Sequence, residues 1–122
     1  MIVKTSEIAP LANATLIIFD SFVAFRGVPR DVHLVSRHLV ILFNDQVGTL
    51  RLRASRDGTT WKVVDSVAVA IPVAPLETTG PVDFAVEGLP HYQVIFINGG
   101  TNQGAEWTIY QEITEHQRQA QT

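Results

Sequence analysis

The side chains with an ordinary pKa nearest neutrality are the four histidines, His33, His38, His91 and His116. None stands at a spacing that makes a metal site, such as H-x-H or H-E-x-x-H. They read as isolated surface or capping histidines. The 12 carboxylates are scattered, and Asp45, Asp57 and Asp83 each sit where a turn or strand end accounts for them. No pair points to the two carboxylates that glycoside hydrolysis needs. The chain has no cysteine, and none of the serines Ser6, Ser21, Ser36, Ser55 and Ser66 lies in a nucleophile-elbow motif. We therefore expect no catalytic residue, metal or other cofactor, and no enzyme activity.

Three further groups could recognise something without turning it over. Asn98-Gly99-Gly100-Thr101-Asn102-Gln103-Gly104 is glycine-rich, but a strand pattern follows it where a phosphate loop would need a helix. It reads as a turn whose tip, with Asn102, is a candidate contact. Trp61, Tyr92, Trp107 and Tyr110 could stack on a sugar, although core packing is the plainer expectation for Trp61 and Trp107. Trp61 follows directly on a turn and stays a candidate loop contact. Arg51, Arg53 and Arg56 project from one strand face and its turn, a solvated row or one that meets carboxylates of a neighbouring subunit.

These residues are carried on short, alternating segments. Thr15 to Gly27 is β-branched and aromatic, one strand or two with a bend at Asp20-Ser21. The stretch from His33 to Asp45 is long enough for a helix, but its run Leu39-Val40-Ile41-Leu42-Phe43 before Asn44-Asp45 favours a buried strand. In Thr49–Ser55, Leu50, Leu52 and Ala54 alternate with Arg51, Arg53 and Ser55. Arg56-Asp57-Gly58-Thr59 reads as a hairpin turn, and Trp61–Ile71 as the return strand. Residues 72–81, with three prolines, read as a long connection crossing between sheets. Strands follow at 82–86, 91–98 and from Glu106 to Ile113. The expectation is an all-β, antiparallel, jelly-roll-like sandwich of six to eight strands over 15–113. An N-terminal arm, 1–14, with room for a short strand, precedes it, and a polar tail, 114–122, follows.

Composition agrees with a binding domain. The 122 residues suffice for one domain, and 46% are hydrophobic. The net charge of −3 carries no basic stripe, so nucleic acid is not an expected partner. No apolar run reaches the roughly 18 residues of a membrane span, and Glu7 and Pro10 interrupt the start, which does not read as a signal peptide.

The sequence also carries a resemblance. Leu50-Arg51-Leu52-Arg53, then Ser55-x-Asp57-Gly58-Thr59-x-Trp61, and later Pro90-x-Tyr92-x-Val94-x-Phe96-x-Asn98-Gly99 with Gln103, Trp107 and Ile109 resemble β-sandwich proteins of phage virions. That group includes capsid decoration (cement) and tail proteins. The likeness spans about residues 49–113. The Ser-x-Asp-Gly hairpin is also similar to discoidin-type domains, from which this chain departs in size and in lacking a cysteine pair. It departs from the virion pattern at Gln93 and Ile95, where a charged residue is common, which implies that this face of the strand is covered by an interface.

The resemblance implies a non-enzymatic virion protein, first a capsid decoration protein that bridges capsomers and sits on the capsid surface. The partners it implies are the major capsid protein, or another virion protein, and further copies of the chain, with a homotrimer suited to threefold sites. The apolar residues Ile2, Val3, Ile8 and Leu11 of the arm, with the arginine row, are the candidate interface. A carbohydrate-binding or receptor-binding tail domain is the alternative.

Overall fold

A computed structural model describes residues 2–5, 9–24, 35–72, 79–104 and 107–115. The strands are β1 (Ile2–Thr5), β2 (Thr15–Asp20), β3 (Val35–Phe43), β4 (Gly48–Ser55), β5 (Lys62–Val69), β6 (Thr79–Ala85), β7 (His91–Asn98) and β8 (Thr108–Glu115). One helical turn, α1 (Ser21–Ala24), follows β2. They form two four-stranded antiparallel sheets, ordered β1-β8-β3-β6 and β2-β7-β4-β5. First pairs with last, second with seventh, third with sixth and fourth with fifth. The chain is a double ribbon closed at residues 56–61 and wrapped into two layers, the expected jelly-roll-like sandwich.

Period-two patterning makes the layers. In β3, Val35, His38, Val40 and Leu42 are buried, so its apolar run is a strand and not a helix. Val40, Leu42, Phe84 and Ile109 of one sheet close on Leu50, Leu52, Val94 and Phe96 of the other, all at most 1% exposed. In the β4–β5 pairing Leu52 meets Asp65 and Arg53 meets Val63, so β5 carries a bulge at Val64, while β4 keeps an unbroken register with β7.

Other boundaries differ from the sequence reading. The bend at Asp20-Ser21 leads into α1, because Asp20 Oδ1 accepts the Phe22 N–H at 2.9 Å and turns the chain. Strand β6 begins at Thr79 and contains Pro81, which its position at a sheet edge tolerates. Strands β7 and β8 lie in different sheets, so the glycine-rich segment crosses between layers instead of closing a hairpin. The 72–81 region likewise joins strands of different sheets, as its length suggested. Part of the expected arm, Ile2–Thr5, pairs with β8, and β8 continues through Glu115, past the expected start of the tail.

Gly48 tests how closely the second sheet is packed. A Cβ there would lie 2.2 Å from the Phe96 ring and 2.9 Å from the Ile97 carbonyl oxygen. Gly48→Ala should destabilise the fold by about 1–3 kcal/mol, read as a lowered urea midpoint at unchanged m-value.

Candidate functional site

On the outward face of the second sheet, pairing register sets Asp20, Gln93, Arg53 and Val63 side by side across all four strands. Gln93 Nε2 donates to Asp20 Oδ2 at 2.7 Å, and the Arg53 guanidinium donates to Gln93 Oε1. Arg53 also lies over the Trp61 ring, 5.9 Å from its centroid. In the next row, Ile95 is flanked by Ile17 and Arg51. Gln93 and Ile95 are 4% and 3% exposed. Their burial thus arises within this chain, where the resemblance had implied an interface. Trp61 is half-buried and stands outside the core cluster, contrary to the packing expected for it.

The arginine row divides. Arg51 and Arg53 belong to this face, where Arg51 Nε donates to Ser66 Oγ at 3.4 Å, while Arg56 is exposed in the 56–61 turn. That turn is held by side chains more than by a tight Asp-Gly pair. Ser55 Oγ accepts the Asp57 and Gly58 N–H groups at 3.2 and 2.9 Å. Asp57 Oδ1 accepts those of Thr59 and Thr60, both at 2.9 Å. The hydrogen bonds from Thr60 and Thr59 hold the Asp57 carboxyl well below the usual carboxylate range. Gly58 has φ +83°, and a Cβ there would strike the Phe22 ring at 2.4 Å.

One end of the sandwich is locked by amides. Asn98 Nδ2 shares its two protons among the carbonyls of Pro10, Leu11 and Thr101, at 3.2, 2.9 and 2.9 Å. Asn98 Oδ1 accepts from Gln103 Nε2 at 2.9 Å. Gln103 Nε2 also donates to the Gln46 carbonyl at 2.9 Å, and its Oε1 accepts the N–H groups of Asp45 and Gln46, both at 3.2 Å. Asn102, exposed at the tip, accepts the Ala12 N–H at 2.8 Å through Oδ1. The Asn-Gly-x-x-x-Gln spacing therefore ties three loops together. This end also presents Leu11, Val47 and Ile71, exposed by 67, 50 and 49%. Of the other interface candidates, Ile2 and Val3 lie in β1, and Ile8 falls outside the described residues.

Between the sheets is a polar centre that the sequence reading missed. His38, expected at the surface or at a cap, is 0% exposed. Its Nδ1 is 2.8 Å from Tyr92 Oη and its Nε2 2.6 Å from Gln111 Oε1. Phe19 covers both rings, at 4.7 Å from His38 and 5.4 Å from Tyr92. Burial holds the imidazole pKa below its ordinary value and pushes the Tyr92 phenol up. The signal was present, since His38 shares the inward parity of Val40 and Leu42. His91 packs edge-on to Phe22 at 5.1 Å, and His33 and His116 lie outside the described residues. The four aromatics do not form a platform. Tyr92 and Trp107 are in the core, with Trp107 4.8 Å from the Phe96 ring, while Tyr110 meets Phe43 at 5.6 Å.

No protein-family model matches the chain, and no curated protein matches it in sequence. Among solved structures, the fold is similar to that of the PBSX exported protein XepA, with a TM-score of 0.67 at 20% identity. The match takes in 100% of this chain and 39% of XepA. The chain thus spans well under half the length of that protein, and the likeness establishes a shared β-sandwich fold.

The amide lock predicts a specific cost. Asn98→Ala removes the donor that serves three loop carbonyls and the acceptor used by Gln103, and should lower stability by about 1–3 kcal/mol. Hydrogen exchange should show the loss of protection concentrated at 9–14, 44–47 and 98–104. Unchanged protection in those loops would refute the lock.

Proposed function

We propose that the chain is a non-enzymatic structural module of a phage assembly and, in its finer form, a capsid decoration protein that binds the outside of the head and bridges capsomers. The observation that carries this reading is the likeness over the whole chain to part of the phage-related exported protein XepA. It is joined by the virion-type motifs of residues 49–113. Jelly-roll sandwiches recur in viral capsid domains, which supports the reading by analogy of fold.

The amide-locked end is the surface best suited to docking. Leu11, Val47 and Ile71 stand exposed on backbone already cross-tied by Asn98, Gln103 and Asn44, whose Nδ2 donates to the Ala70 carbonyl at 3.1 Å. Apolar side chains held on rigid backbone lose little conformational freedom when a partner covers them.

Co-sedimentation of the purified chain with undecorated phage heads tests the proposal. Saturable binding is expected, and the double variant Leu11→Asp/Val47→Asp should weaken it by at least about tenfold through charge burial at the contact. Failure of the wild-type chain to sediment with heads would reject the decoration role.

A further inference from the structure

We infer that His38 is an acid-sensitive clasp between the two sheets: protonation of its ring reverses the hydrogen bond that ties β3 to β7 and loosens the sandwich. The sheets hydrogen-bond within themselves along their strands, so a side-chain bond from one inner face to the other is a separate kind of tie. His38 of β3 supplies it through Tyr92 of β7, at 2.8 Å.

The partners set the tautomer. Gln111 Oε1 can only accept, so Nε2 carries the proton and donates to it. Nδ1 is then the bare nitrogen and accepts the Tyr92 hydroxyl proton. When a proton from solvent reaches Nδ1, both ring nitrogens become donors. The Tyr92 oxygen must then accept, and its own proton has to turn away into an apolar core. Among the described residues the hydroxyl makes this one hydrogen bond. A charged ring would also stand in low-dielectric surroundings, with no carboxylate among the described residues to balance it.

The elements around the ring support that last point. Phe19 comes from β2 and Phe84 from β6, opposite His38 in register. Gln111 and Ile113 come from β8 and Tyr92 from β7. Asp20 is turned to Gln93, Asp83 is paired with Arg37 at 2.8 Å, and Glu112 is opposite Leu39 on the outward face. Tyr92 is thus the one titratable group facing the ring among the described residues.

The sign follows from linkage. The folded imidazole has a lowered pKa and stays neutral, whereas in the unfolded chain it takes up a proton near the ordinary imidazole value of 6.5. Below that pH the unfolded state binds more protons, so stability is full above it and falls as the pH falls. The loss amounts to at most about tenfold in the folding constant per pH unit.

Chemical denaturation of the whole chain between pH 7.5 and 5, read with the His38→Gln variant, tests this. The wild-type folding constant should fall with acid, and the variant, which keeps a polar side chain but cannot titrate, should lose most of that dependence. Nitrogen NMR of the folded wild type supplies a readout that does not need the variant to fold. It should show His38 with a bare Nδ1, a protonated Nε2 and no titration near its ordinary pKa. A His38 ring that titrates normally in the folded protein, or identical pH profiles for the two proteins, would overturn the clasp.

Discussion

The structure depends on burying the inward side chains of two sheets against each other. Strands β3, β4, β6, β7 and β8 contribute period-two rows to that layer, and Phe84, Phe96, Leu42, Leu50, Leu52 and Ile109 fill its middle. Apolar area removed from water contributes about 25 cal/mol per Å², and the contact is not directional. The nested pairing of first strand with last, second with seventh and third with sixth brings distant segments into one layer. Few of the contacts are local, a topology that folds slowly compared with helical bundles.

Polar groups give this non-directional layer its specificity. His38, Tyr92 and Gln111 place a bonded polar centre between the sheets, where a slipped register would strand buried donors and acceptors. The Asn98–Gln103 pair does the same at one end, where the backbone of three loops leaves the ladders and needs other partners. Across the outward face of the second sheet, the Asp20–Gln93–Arg53 row covers Gln93 with the chain's own side chains. Each of these networks is built from the chain's own side chains and backbone.

Motif residues that resemble virion proteins acquire physical roles here. Ser55 and Asp57 organise the turn between β4 and β5 by accepting backbone N–H groups, and Gly58 occupies positive φ against Phe22. Asn98 and Gln103 hold one another. Trp61 is set beside Arg53 on the outside of the sheet and does not plug the core. Such residues define a scaffold, and what the scaffold binds is decided by the exposed side chains around it.

By itself, the sequence determined the layer architecture. Alternation in Leu50-Arg51-Leu52 and Tyr92–Phe96, the β-branched run of β3 and the turn residues between them are local properties, and each strand carries its own inward face. Only the tertiary structure decided which strands share a sheet, because pairing depends on contacts far apart in the chain. Seen along the chain, the segment after Asn98 looks like a hairpin turn, whereas in space it passes between layers. The same holds for His38. Its inward parity was legible, but its partners Tyr92 and Gln111 lie 54 and 73 positions away, and a buried hydrogen bond exists only once folding has brought both ends together.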